Sequence, residues 1–207
     1  EILVSLMLVY VATLLLSVLV HGPLKDPEGA NFPESRLFQA SAAMPILMAG
    51  TRAHAGFLVA LAAAFGVWVL LMRHIIGFQI RVLGEAPQAA RFAGFSSERL
   101  TWFCMLLSGG LAGLAGLFEA AGPVGQLVPA LPVGYGFTAI IVAFLGRLHP
   151  VGIVLAAFLL ALTYIGGETA QIAMGLPSAT TSVFQGLLLF FLLAADVFVK
   201  FRLRLRR

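Results

Sequence analysis

Long runs of apolar residues, separated by short polar stretches, limit most strongly what this chain can fold into. A helix needs ~20 residues to cross a hydrocarbon core of about 30 Å. Four runs approach that length: Ile2–Val20, Ala53–Met72, Leu100–Ala121 and Thr181–Val199. The hydrocarbon core offers no water to bond backbone groups, so segments this long must cross it as helices. Charged residues make up only 11% of the chain, against roughly 25% in globular domains. The sequence therefore predicts an all-α, polytopic transmembrane helical bundle.

Other apolar segments are shorter, which predicts a bundle with short or broken helices. Leu37–Gly50 contains Pro45 and favours a re-entrant or interfacial piece. Phe137–Gly146 and Val151–Ile165 are too short to cross unaided. Three polar or Gly/Pro-rich stretches are predicted to be irregular: His21–Arg36, Gly122–Gly136 and Gly166–Ser178. For Gly122–Gly136, an outer loop and a re-entrant element beside a pathway both remain open.

A polar island, Gly77–Arg99, interrupts the apolar runs with the sequence GFQIRVLGEAPQAARFAGFSSER. Pro87 suits the first turn of a helix and Gly94 suits the position just past its end. Pro87–Ala93 is therefore predicted to be a short helix, while Gly77 and Gly84 are expected to mark bends.

Clustered basic residues indicate the orientation of the chain. Arg81, Arg91 and Arg99 lie in the island, and the tail from Lys200 to Arg207 is strongly basic. Because such clusters stay in the cytoplasm, the island and the C-terminus are predicted to be cytoplasmic. Counting back from the tail places Arg147–His149 inside, and His21–Gly50 and Gly122–Gly136 outside. This topology requires two of the short segments to cross.

Sequence motifs of several enzyme classes are missing. The chain has no GxxxxGK[ST] phosphate loop, no HExxH and no zinc-spaced Cys/His cluster. We therefore expect no enzymatic activity, cofactor or metal, and we interpret the basic tail as a topology signal rather than a nucleic-acid site. Broken helices are also typical of ion-coupled secondary transporters of small polar solutes, which is the alternative function. Glu119, Gln126 and Tyr135 are candidate polar contacts along a transport pathway.

The segment GFQIRVLGEAPQAARFAGF resembles the cytoplasmic segment of ABC-importer permeases of the ribose, nucleoside and branched-chain amino-acid type. Ala86 stands where that family often has Asn, and Phe95 where it often has Ile. The similarity continues through GLAGLFEAAGPVGQL, PVGYGFTAIIVAFLGRLHPVGIVLAAFLLA and QGLLLFFLLAADV. The positions that match the family pattern are Gly77, Arg81, Gly84, Ala89, Ala90 and Gly94.

The resemblance implies that residues 1–207 form a single permease domain, expected to be the C-terminal portion of a longer protein. Segment 77–99 would be the coupling segment that docks on an ATP-binding subunit, with Pro87, Arg91 and Phe92 joining the matched positions. A substrate-binding protein, a second permease subunit and membrane lipid are the other implied partners. The implied location is the inner membrane. The implied cargo is a nucleoside or a simple sugar.

Overall fold

A computed structural model of the chain contains seven α-helices among the residues that it describes. These residues are 2–29, 32–39, 41–47, 53–129, 131, 134–175, 177, 179–180, 183–184, 186–188, 190–191 and 194. The helices are α1 (Ile2–His21), α2 (Gly56–Arg73), α3 (Ile75–Glu85), α4 (Pro87–Phe92), α5 (Ser97–Glu119), α6 (Tyr135–Leu145) and α7 (Pro150–Met174). A π-helical turn, Ala120–Val124, continues α5.

Four of these elements are long and apolar enough to cross a membrane: Leu3–His21, Gly56–Arg73, Ser97–Val124 and Pro150–Met174. The all-α polytopic bundle is thereby confirmed. Most of the apolar side chains on these helices are exposed, and few are buried within the chain. Such surfaces are stable only against lipid or further helices, since no water-soluble fold exposes apolar area on this scale.

The chain forms two compact units, residues 1–133 and 134–207. In the first unit, the start of α2 lies beside the end of α5, because Gly56 approaches the ring of Phe118. At the opposite end of α2, the chain turns into α3, which contacts α4 and α5. Two irregular regions of this unit meet near the start of α2 and the end of α5. One lies between α1 and α2, and the other follows α5 and its π-helical turn.

Backbone hydrogen bonds join these two irregular regions. The amide of Phe38 donates to the carbonyl of Gly125 at 2.9 Å, and Met44 donates to Ala121 at 2.9 Å. The described parts of Leu37–Gly50, residues 37–39 and 41–47, contain no helix. The structure thus joins Phe38 and Met44, in the predicted outer stretch His21–Gly50, to Gly125 and Ala121, which lie within and just before the other predicted outer stretch, Gly122–Gly136.

In the second unit, α6 and α7 pack as a hairpin around a tight turn. Arg147 and Leu148 close it with φ angles of 52° and 56°, both in the left-handed region. The prediction that Phe137–Gly146 is short is confirmed by α6, which has 11 residues.

Two predictions for the next segment are wrong. The segment does not end at Ile165, and most of the predicted loop Gly166–Ser178 is helical. Helix α7 continues through Gly166 to Met174 and spans 25 residues. Each Gly costs a helix only about 1 kcal/mol relative to Ala, and α7 continues through both glycines. The Thr169 hydroxyl donates to the Ile165 carbonyl at 2.8 Å, so this polar side chain is satisfied within the helix.

Gly77 and Gly84 do not mark bends, because both lie inside α3. Gly77 is buried where α3 folds against the end of α2. A Cβ atom there would lie 2.2 Å from the carbonyl oxygen of Leu70. Gly77 therefore permits a close backbone approach, whereas a Cβ at Gly84 would meet open space.

Two predicted segments lie mostly or wholly outside the described residues. They are the span Thr181–Val199 and the basic tail from Lys200 to Arg207.

The two glycines of α3 give a matched stability test. Gly77→Ala forces a contact shorter than any real Cβ makes, so we expect it to lower stability by about 1–3 kcal/mol. Gly84→Ala meets no neighbour and should keep or raise stability, by up to about 1 kcal/mol. Thermal unfolding of the detergent-purified protein measures both, and equal effects would contradict the close approach at Gly77.

Candidate functional site

The polar island folds into two consecutive helices, α3 and α4, at the end of α2. His74 leaves α2 in an extended conformation, and its Nδ1 accepts a hydrogen bond from the Ile76 amide at 3.2 Å. This contact caps α3, and Gly77 lets the new helix pack closely on the end of α2. The cap at His74 and the close approach at Gly77 therefore set the direction in which α3 leaves α2.

Helix α4 begins at Pro87, as the sequence predicts, and ends at Phe92, one residue before the predicted end at Ala93, which is its C-cap; Gly94 follows the cap. Gly94 has a φ of 78°, and its amide donates to the Arg91 carbonyl at 3.1 Å. The Phe95 amide donates to the Ala90 carbonyl at 3.0 Å. These two bonds form a Schellman motif, which satisfies carbonyls at the helix end.

One side of α4 is anchored and the other is exposed. Ala90 is fully buried, with 0% exposure, and the ring of Phe95 packs edge-on against Phe78 with centroids 6.4 Å apart. Phe92 is 92% exposed. Positions two apart on a helix point in nearly opposite directions, so burying Ala90 turns Phe92 outward.

Besides Phe92, six members of the candidate coupling set are exposed. They are Pro87, Ala89, Arg91, Gly94 and, on α3, Arg81 and Gly84. Ala90 is the exception among the positions that the resemblance assigns to the coupling segment on α4, because its side chain is buried within the chain and is not available for docking. Burial of Ala90 fixes one face of α4 against the rest of the chain. No carboxylate in the described part of the chain forms a salt bridge with Arg81 or Arg91.

The three pathway candidates occupy different places. Glu119 is the last residue of α5 and is half-buried. Gln126 follows the π-helical turn, and its Nε2 donates to Oε2 of Glu34 at 2.5 Å. Tyr135 begins α6 in the second unit, where its ring lies 6.3 Å from that of Tyr164. The structure therefore joins Gln126 to a residue that sequence reasoning did not select.

Glu34 and Ser35 are the residues that sequence reasoning missed. Ser35 is only 7% exposed, and its Oγ accepts a hydrogen bond from the Leu127 amide at 2.8 Å. The partners Glu34 and Gln126 are 92 residues apart in the chain. Because Glu34 lies in a turn-rich segment that resembles an ordinary surface loop, no local sequence signal marks it.

Comparison with known protein families identifies the chain. Residues 1–193 match the family described as the permease component of branched-chain amino acid transport systems. The chain belongs to this family. No solved structure matches it significantly.

Several curated relatives are ABC transporter permeases. The chain is 38% identical to a glucose ABC transporter permease of Haloferax volcanii, over 98% of the chain and 56% of that protein. It is 34% identical to a guanosine ABC transporter permease of Bacillus subtilis, over 92% of the chain and 56% of that protein. Identity to a nucleoside ABC transporter permease of Lactococcus lactis is 26%, over 93% of the chain and 55% of that protein. The chain thus spans slightly more than half the length of these relatives.

The left-handed conformation of Gly94 makes the helix end testable. Gly94→Val places a branched side chain at positive φ, and we expect a loss of at least about 1 kcal/mol. Gly94→Asn should cost less, because Asn tolerates this conformation. Hydrogen exchange at the Phe95 amide, which the Schellman motif protects, should speed up in the Val variant and change little in the Asn variant. Equal exchange in both variants would contradict this account of the helix end.

Proposed function

We propose that this chain is part of the transmembrane permease subunit of an ATP-driven ABC importer. Family membership over residues 1–193 carries the proposal, together with relatives named as ABC transporter permeases. Residues 1–207 then act as one permease domain, and ATP hydrolysis takes place on a separate subunit. A substrate-binding protein and a second permease subunit complete the importer.

Segment 77–99 is the proposed coupling segment, and α4 is the part that enters the ATP-binding subunit. Phe92, at 92% exposure, is a large apolar side chain without cover from the chain. Arg91, next to it in the chain, and Arg81 on α3 are exposed cations, suited to acidic groups of a partner or to anionic lipid. Aromatic residues and arginine are the side chains that most often dominate binding energy at interfaces.

The positive-inside rule supports the orientation proposed for this docking. It favours a cytoplasmic island and C-terminal tail, on the side where ATP is hydrolysed, and the proposed location of an importer of this kind is the inner membrane. Movement of docked α4 on ATP binding then shifts α3 and α5, which it adjoins, and alternates access to the pathway.

The proposed cargo is a nucleoside, with a simple sugar as the second choice. Relatives of both kinds support it, since they are named for guanosine, nucleosides and glucose. Glu119, Gln126 and Tyr135 remain the proposed polar contacts along the pathway.

Charge and polarity reversal on α4 tests the coupling role. We expect Arg91→Glu combined with Phe92→Asp to weaken association with the ATP-binding subunit by about 2 kcal/mol or more, roughly thirtyfold in Kd. Co-purification and ATPase stimulation in a reconstituted bilayer measure the loss.

The turn between α6 and α7 offers a matched control. Arg147 and Leu148 are also an exposed cation and an exposed apolar residue side by side. Arg147→Glu with Leu148→Asp should keep the ATP-binding subunit bound. Equal loss in both double variants would attribute the effect to charge reversal rather than to α4. Uptake that follows an ion gradient with no associated ATPase would favour a secondary transporter instead.

A further inference from the structure

A carboxylate and an amide meet where the two irregular regions of the first unit join. Gln126 donates from Nε2 to Oε2 of Glu34 at 2.5 Å, and both side chains are half-buried. Each side chain therefore keeps part of its surface accessible while the rest is covered by the chain. The two residues come from distant parts of the chain, so the fold as a whole creates this pair.

Neighbouring residues hold the pair in a fixed position. The Ser35 amide donates to the Leu127 carbonyl at 3.0 Å, and the Leu127 amide donates to the Ser35 hydroxyl at 2.8 Å. Glu34 and Gln126 directly precede these cross-linked residues. Ordering the two side chains in advance lowers the entropy that a ligand must give up on binding.

The pair keeps unused hydrogen-bond acceptors. A carboxylate has about four acceptor sites and an amide oxygen has two, and the Gln126 bond occupies one site of Glu34. Among the residues that the structure describes, Glu34 forms no salt bridge, and the nearby ion pair joins Arg36 to Asp26 at 3.7 Å. The negative charge of Glu34 is therefore met by an uncharged amide, and its remaining acceptor sites can bind a ligand that carries hydrogen-bond donors.

The backbone around Gln126 is typical of a functional region. It follows the π-helical turn Ala120–Val124 and Gly125, which has a φ of 71°. Short π-helical insertions occur frequently at functional sites. Irregular backbone at membrane depth is tolerated where it is buried in protein or lines a water-filled cavity.

We propose that Glu34 and Gln126 bind adjacent hydroxyl groups of the cargo. This inference rests on the proposed function, because nucleosides and simple sugars both carry hydroxyls side by side. Two neighbouring hydroxyls donate to the free oxygens of Glu34 and Gln126 together, which a single hydroxyl cannot do. A hard cation fits poorly, since Ca²⁺ requires six to eight oxygen ligands and the pair offers one charged side chain.

Uptake kinetics of two cargoes test the pair in proteoliposomes that contain the complete importer. Guanosine carries two adjacent ribose hydroxyls, and dideoxyguanosine lacks both. Glu34→Gln removes the charge at almost constant shape. We expect it to raise the KM for guanosine about tenfold and to change the KM for dideoxyguanosine little.

Glu28→Gln is the matched control, because Glu28 is an exposed carboxylate of the same segment. It should leave both KM values unchanged. If the wild type imports glucose rather than guanosine, glucose and its analogue without hydroxyls at carbons two and three replace the nucleosides. A purely structural role for Glu34 would affect both members of a cargo pair equally, so the difference between them isolates the contact.

The outcomes separate this inference from the function on which it rests. A selective rise in KM for the hydroxylated cargo supports the pair as a cargo site. Uptake that Glu34→Gln leaves unchanged, or impairs equally for both cargoes, overturns it while the permease assignment stands. A wild-type importer that moves neither guanosine nor glucose contradicts the proposed cargo and the pair together.

Discussion

Pairing of backbone polar groups away from water is the constraint on which this structure depends. Helices satisfy it internally, but residues 35–39 and 41–47 are not helical, and segment 121–127 is a π-helical turn followed by irregular backbone, so both need other partners. The two regions supply hydrogen-bond partners to each other: the Phe38 amide donates to the Gly125 carbonyl, and the Met44 amide donates to the Ala121 carbonyl. Leu47 adds a bond to Ala53 at 2.9 Å, which leads the chain into α2. Neither irregular region would be stable in lipid without its partner.

The opposite end of the first unit solves a different problem, which is to present a short helix rigidly. An isolated helix of six residues is unstable in water, so α4 depends on its surroundings. The Schellman motif, buried Ala90 and the edge-on contact of Phe95 with Phe78 supply that support. The same contacts leave Phe92 exposed. A rigid exposed aromatic residue is the arrangement that the proposed docking requires, since little order must be gained on binding.

Local signals predicted some elements well and others poorly. Pro87 and Gly94 predicted α4 because each acts through its own backbone conformation. Gly77 and Gly84 look alike in sequence, yet only Gly77 faces another backbone, and that difference arises from packing. Gly166 and Gly167 suggested a break that α7 does not have, because each Gly weakens a helix by only about 1 kcal/mol relative to Ala. The bond between Glu34 and Gln126 joins residues 92 positions apart, beyond the reach of any local pattern.

Helix α5 connects the two ends of this unit mechanically. With its π-helical turn it runs without interruption for 28 residues, from Ser97 to Val124, a length of about 40 Å. It begins beside α4 and ends next to Gly125, which is bonded to Phe38. A stiff helix that moves as one body carries displacement from the first end to the second. Cβ atoms added at Gly109, Gly113 and Gly116 would meet nothing, so the middle of α5 has open space beside these glycines, while its two ends pack on α3 and α2. The two proposed sites therefore lie at the ends of one element, as transport driven by docking would require.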